Sequence, residues 1–270
     1  MQPREFAAYH LAALERDQAR HNVLLWIMDR VGGSDRPEVR YWTLGSPGRC
    51  AVQTPSQPIV LGDLDAAQCR LLAEQTKELD YAGVVGPELT AKWFADRAAA
   101  LGLTFLEAIP QQIHVLDGAP RFPGAAGHAR LVRTDDASLF ADWIIAFMRE
   151  ATPNDALPER TKLAPVAGEG RYMFWIVDGE PVSMAGIVRR TRDAAAIAGV
   201  YTPPALRGRG YAGSVTAAVV ELAFAQGKTQ ACLYADLRNP FSNRCYAKIG
   251  FKPVCRSRHY PRARRVNLYA

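Results

Sequence analysis

Apolar residues recur at roughly helical spacing through residues 4–30, at Phe6, Leu11, Leu14, Val23, Leu24 and Ile27, and Gly32-Gly33 follows. That pattern predicts one long opening helix with a glycine stop. Short strand-like runs come next at 39–44, 50–53 and 58–61, followed by helical patterns over 65–79 and around 89–101 and an apolar stretch through 113–116. Between these, Gly83-Val84-Val85-Gly86-Pro87 reads as a loop-to-helix transition. The segment 117–127 is rich in Gly, Pro and Ala with little to bury, so a domain boundary is expected there, with one domain over 1–120 and another over 127–270.

The second half begins with a predicted strand at 129–133, after which Thr134 or Asp135 caps an amphipathic helix through Leu139, Trp143, Ile144 and Phe147. Runs at 172–177 and 182–189 flank Asp178-Gly179, a hairpin signal, and 195–201 supplies a third strand. An antiparallel meander is the result. It is followed by a Gly-rich stretch, a helix over 211–226 closed by Gly227, a strand at 231–235, another helix and a last strand near 251–255.

The Gly-rich stretch contains Gly208-x-Gly210-x-x-Gly213, the spacing of a dinucleotide-binding turn, and Asp236 follows Gly213 by 23 residues, near where a ribose-binding acid would fall. Three features exclude that reading. Only 34 residues follow Asp236, too few for the remaining strands of a doubly wound sheet. Residues 202–207 separate the first glycine from the strand end, and what precedes is a meander rather than an opening parallel strand.

Length and composition narrow the function. A chain of 270 residues with 49% hydrophobic and 22% charged residues suits two globular domains, each with its own core. The start, Met1 to Phe6, lacks a basic region followed by an apolar stretch, and no run of 18 or so apolar residues occurs, so a cytoplasmic protein without membrane partners is expected. Cys50, Cys69, Cys232, Cys245 and Cys255 are scattered and read as reduced, small hydrophobes. His10, His21, His114, His128 and His259 show no metal spacing, and no Ser-His-Asp or Cys-His nucleophile system suggests itself. Charge is uneven: from Arg207 to Arg265 twelve Lys or Arg face only Glu221 and Asp236, which makes this quarter +10 and the rest −4. The basic quarter faces an anion. The tail Lys252, Arg256, Arg258, Arg262, Arg264, Arg265 has no stacking pattern for nucleic acid; it fits a positive rim around the phosphates of a cofactor, or else a solvated basic face that meets no ligand.

Taken one residue earlier, the loop reads Arg207-x-x-Gly210-x-Ala212 after a strand and before a helix, and glycines at 208, 210 and 213 let amides converge on an anion at a helix N-terminus. It is followed by Asn239, then Tyr246 seven residues later, then Gly250-Phe251. Together the two motifs resemble those of the GNAT superfamily of N-acetyltransferases, over about residues 127–270. The resemblance implies an α/β (α+β) fold of GNAT type: a mixed, mostly antiparallel sheet flanked by helices, here preceded by a smaller α/β domain. That first domain repeats the rough element order without the loop motif, and is expected to be a degenerate GNAT-like half without a cofactor of its own.

The resemblance further implies acetyl-CoA as cosubstrate and a small-molecule amine as acceptor, with direct attack in a ternary complex; a homo-oligomer is compatible with it. Val200, Tyr201 and Thr202 would bind the pantetheine through backbone groups. Arg207, Gly208, Arg209, Gly210, Tyr211, Ala212, Gly213 and Ser214 would cradle the pyrophosphate, and Asn239 and Ser242 would contact the pantetheine arm. Asn239 also reads as a helix cap ahead of Pro240. Tyr246 would protonate the departing thiolate, with packing under the cofactor as its alternative role. Asp236 and Glu150 are candidates to hold or deprotonate the ammonium, and a surface or capping role competes for each. A catalytically silent acyl-CoA sensor would use the same loop.

Overall fold

The computed structural model describes residues 2–31, 38–122 and 124–263. Gly32 and Gly33, expected to stop the first helix, Pro123 in the expected linker, and Arg264 and Arg265 of the basic tail lie outside the described residues. The chain forms two compact units, one of Met1–Ile113 with Asp236–Arg238 and Val254–Ala270, the other of His114–Ala235 with Asn239–Pro253. The division therefore falls between Ile113 and His114, and the end of the chain returns to the first unit. Within the second unit, the Gly-Pro-Ala stretch 117–127 is tied down by Arg121 N–H donating to the Ile249 carbonyl (2.8 Å) and Trp175 Nε1 donating to the Ala126 carbonyl (2.8 Å).

The first unit opens with α1 (Pro3–Leu14) and α2 (Asn22–Val31) rather than one helix. A 3₁₀ turn at Glu15–Asp17 interrupts them, and the Asp17 carboxylate and the Ala19 carbonyl take up Arg20 N–H and Asn22 Nδ2, local bonds that compete with a continuous helix. Then come β1 (Arg40–Thr43), β2 (Cys50–Gln53), β3 (Ile59–Leu61), α3 (Ala66–Thr76), β4 (Gly83–Pro87), α4 (Glu88–Ala100) and the start of β5 (Ile109–Leu116). Strands β1, β2 and β3 are antiparallel, β4 is parallel to β3, and β11 (Lys252–Pro261) lies antiparallel against β4. Gly83-to-Pro87 is thus a strand, not a loop. Its first residue must be glycine: at φ +145°, a Cβ on Gly83 would come within 2.3 Å of the Tyr260 carbonyl of β11.

The second unit contains β6 (His128–Leu131), α5 (Ala137–Ala151), α6 (Arg160–Ala167), β7 (Tyr172–Val177), β8 (Glu180–Arg190), β9 (Ala194–Tyr201), α7 (Tyr211–Ala225), β10 (Gln230–Asp236) and α8 (Pro240–Ile249). Strands β6 to β9 pair antiparallel in sequence order and β10 pairs parallel with β9. Asp178 (φ 50°) and Gly179 (φ 84°) turn the β7–β8 hairpin, both left-handed as a tight two-residue turn requires. Helix α7 is buried on every side from Val215 to Val220, which its run of Val, Ala and Thr permits, so it is the core helix of this unit. From its first helix onward each half of the chain follows one order: two helices, three antiparallel strands, a helix, a parallel strand, a helix and a strand, the last strand of the second half being β11 of the first unit.

None of the five cysteines is in a disulfide, and Cys50, Cys69 and Cys232 are buried. Among the described residues no helix is long and apolar enough to cross a membrane.

Two buried histidines, His10 and His114, are held neutral, burial lowering each below the ordinary histidine value. His10 Nδ1 accepts the Gly48 N–H (3.0 Å), so its proton sits on Nε2, 3.0 Å from Thr43 Oγ1. Because the folded-state pKa lies below the unfolded one, the unfolded chain binds the extra proton first as pH falls through about 6.5. Denaturant midpoints should therefore drop between pH 7 and pH 5. His10→Gln should shallow that slope; an unchanged slope would show that His10 does not titrate on unfolding.

Candidate functional site

The site is built on the point where β9 leaves β10. Their parallel ladder pairs Ala194 to Ala196 with Gln230 to Cys232 and, among the described residues, goes no further. On the other side β9 stays with β8, but with an extra residue between the pairs Met184↔Tyr201 and Gly186↔Ala198. Gly199 supplies the bulge with φ +64°, and the Tyr172 ring packs against it: a Cβ would lie 3.2 Å from that ring at Gly199 and 2.2 Å from it at Gly186, the residue paired with Tyr172. A bulge bends its strand and strengthens local twist, and this one lies just beyond the last residue of β9 that pairs with β10.

From there the chain runs through a 3₁₀ turn, Pro204–Leu206, into Gly208 (φ +81°) and Gly210 (φ +83°), and Gly210 is the N-cap of α7. Both residues sit in the left-handed region that glycine enters without cost. The first α7 amides, Tyr211 to Gly213, thus face out of a helix N-terminus, and Ser214 N–H is the first to close on Gly210 (3.1 Å). Ser214 Oγ is buried and has no hydrogen-bond partner among the described residues. The two loop arginines divide their work. Arg207 is engaged within the protein: Nε donates to the Thr202 carbonyl (2.9 Å) and Nη2 to both oxygens of Glu150 on α5 (2.9 and 2.7 Å). Arg209 is exposed and carries no ion pair among the described residues, so it is the loop cation left for a ligand.

Helix α8 forms the other side. Asn239 Oδ1 accepts the N–H groups of Phe241 and Ser242 (3.1 Å each) ahead of Pro240 at the first helical position, the capping role its sequence position suggested. Its carbonyl accepts from Asn243 Nδ2 (2.7 Å) and Ser242 Oγ (3.1 Å). Tyr246 is buried, and burial pushes its phenol above the ordinary value, with Cys245 adding to the rise. It is held in the protonated form a proton donor needs. Beside it lies His114, from the end of β5, its ring centroid 6.4 Å from that of Tyr246. His114 is 6% exposed; Nε2 meets Asn243 Oδ1 (3.3 Å) while Nδ1 is buried without a partner. The sequence offers no sign of this neighbour, because one histidine at a strand end makes no periodic or spaced pattern.

The two carboxylates proposed from sequence are both occupied by arginine. Asp236 accepts Arg238 N–H (2.8 Å) and its guanidinium, which also reaches Glu107 (3.1 Å). Burial alone would raise the Asp236 carboxyl, but the Arg238 bonds outweigh it and hold it below the usual range. Asp236 also counts with the first unit, whereas Glu150, Val200 to Ser214, Asn239, Ser242 and Tyr246 all belong to the second. No group of three or more His, Cys, Asp or Glu poised for a metal ion occurs among the described residues.

At the corresponding place in the first unit, between β3 and α3, the chain reads Gly62-Asp63-Leu64-Asp65. Asp65 caps α3 with its own carboxylate, accepting Ala67 and Gln68 N–H (2.9 Å each). Asp63 is ionised well down the pH scale, at about 2, because the bonds from His21 and Arg20 overcome its burial. A helix end already served by a carboxylate and flanked by a second one repels an incoming anion.

Residues 137–251 match the acetyltransferase (GNAT) family. No curated protein matches the sequence. Among solved structures, a Drosophila protein is similar with TM-score 0.71 at 13% identity, 97% of each chain being covered. A GCN5-related N-acetyltransferase from Kribbella flavida is similar with TM-score 0.62 at 17% identity over 91% of this chain and 94% of that one. A tandem GNAT protein from the clavulanic acid biosynthesis pathway gives TM-score 0.51 at 13% identity over 88% and 87%. At such identities these likenesses establish the fold.

Proposed function

Because residues 137–251 form an acetyltransferase (GNAT) domain, we propose that the chain moves an acetyl group from acetyl-CoA to a primary amine of a small molecule by direct attack in a ternary complex. The observation that carries this reading is the opening between β9 and β10, which leads straight into two left-handed glycines and a helix N-terminus. The first amides of α7 and the exposed Arg209 follow one another along a single path. The amides from Gly208 to Gly213, with Arg209, suit the pyrophosphate, and the buried Ser214 hydroxyl, without a partner among the described residues, suits a polar ligand group nearby. The end of β9, Val200 to Thr202, suits the amide groups of the pantetheine, and an N–H there would also polarise the thioester carbonyl.

The amine nitrogen forms its bond to the thioester carbon as the carbon–sulfur bond breaks, and the sulfur leaves as a thiolate. Tyr246 donates the proton that the thiolate takes up. Asp236, a carboxylate stabilised by Arg238, is a weak base and lies in the first unit, so it is given no part in the transfer. Glu150 has both oxygens on Arg207, so in this reading the proton of the ammonium passes to water, as does the second proton that the nitrogen sheds when the amide forms, and water returns one proton to Tyr246.

Three measurements test the proposal. A thiol-release screen of acetyl-CoA against a panel of primary amines should find at least one accelerating acceptor; tight CoA binding with no acceleration by any amine would leave a silent acyl-CoA sensor in its place. Tyr246→Phe should lower kcat by about a hundredfold while sparing acetyl-CoA affinity, and unchanged kcat removes the acid role. Arg209→Ala should raise the acetyl-CoA KM by roughly tenfold with little change in kcat, as loss of one charge-assisted contact would.

A further inference from the structure

Four residues of the second unit, Ser183, Thr202, Arg207 and Glu150, form a continuous chain of bonds that braces the expected ligand path. Ser183 on β8 is fully buried, and its Oγ donates to the Tyr201 carbonyl (3.0 Å). Having a single proton, it must then accept from Thr202 Oγ1, 2.8 Å away. The Thr202 carbonyl accepts Arg207 Nε, and Arg207 Nη2 reaches Glu150 near the end of α5. The guanidinium also lies 6.0 Å from the Tyr201 ring, which packs 5.9 Å from Trp143 of the same helix. From buried strand to half-exposed helix, every contact fixes the end of β9 or the turn after it.

We propose that Ser183, Arg207 and Glu150 are positioning residues for the transfer: they hold the end of β9 on β8 and the turn 203–207 against α5, so that the glycine loop is in its binding shape before acetyl-CoA arrives. This deepens the acetyl-CoA reading and rests on it for the identity of the ligand. Its chemical content is that Glu150 acts on cofactor affinity and not on the amine proton, and that Arg209 rather than Arg207 meets the phosphates. Preorganisation of this kind lowers the ordering cost that binding would otherwise carry. The Glu150–Arg207 pair is about half exposed, 49% and 47%, so its contribution to stability is small and its effect is one of geometry.

The test uses the full chain, CoA itself as probe, and three variants: Glu150→Gln, Ser183→Ala, and Asp142→Asn as a control. Asp142 lies on α5 too but pairs with Arg160. In the ligand-free protein, hydrogen exchange at the Leu206 and Arg207 amides, which close on Pro203 and Pro204, should quicken in Glu150→Gln and Ser183→Ala and stay unchanged in Asp142→Asn. The CoA Kd by calorimetry should rise about fivefold for Glu150→Gln and about tenfold for Ser183→Ala. Unchanged exchange in both variants overturns the proposal whatever binds. Faster exchange with unchanged CoA Kd also overturns it, since the turn would then not matter to the ligand. A wild-type protein that binds no CoA refutes the acetyl-CoA reading instead, and the exchange result still decides the positioning role.

Discussion

Everything at the site depends on a sheet that stops pairing. A strand interior normally satisfies both its neighbours, and a parallel pair such as β9 and β10 is most stable when its ladder runs to the end. Among the described residues the ladder ends at Ala196 and Cys232, and just beyond it β9 carries the bulge at Gly199, packed against the Tyr172 ring. Ser183 then replaces part of what β9 loses by binding the Tyr201 carbonyl from the other side. The cost of an open strand is thus met on the β8 flank, and the flank toward β10 stays free for a ligand with amide groups of its own.

The first unit shows how little separates a binding loop from an inert turn. Both units reach a strand-to-helix junction after three antiparallel strands, and both follow it with a parallel strand. In the second unit the junction is glycine-rich, with an exposed Arg209; in the first it carries Asp63 and Asp65, and the Asp65 side chain occupies the helix amides itself. The dipole at the helix end is the same in both. Side-chain charge decides whether it is offered to an anion or spent internally.

Much of the second unit was legible because its local signals agree with its tertiary role. The strand 172–177, the Asp178-Gly179 hairpin, and the helix begun after Gly210 depend on alternation, on left-handed turn residues and on an exposed helix start, all short-range features. The Asn239 cap with Pro240 was likewise readable and is confirmed by its two bonds. What escaped the pattern has identifiable causes. The single helix expected over 4–30 is two, since periodicity survives a break that local bonds at Asp17 and Ala19 impose. The strand at Gly83–Pro87 looks like a loop, since Gly83 is there for the close approach of β11 from far along the chain and Gly86 for that of Leu61 on β3. Helix α6, with Pro165 inside it, has neither the apolar stripe nor the propensity to announce itself.

The amino-acid sequence alone determined which residue types stand at the junction: two glycines able to turn left-handed, two arginines, and downstream a capping asparagine with a tyrosine seven residues on. Those are matters of backbone freedom and spacing, and they need no distant partner. Only the tertiary structure decided what each does. It gave Arg207 to Glu150, 57 positions away, and left Arg209 free. It gave Asp236 to Arg238, and it set His114 beside Tyr246. The reason is physical: charge pairing and burial depend on distance in space, and a sequence orders its charges along the chain without recording which of them meet.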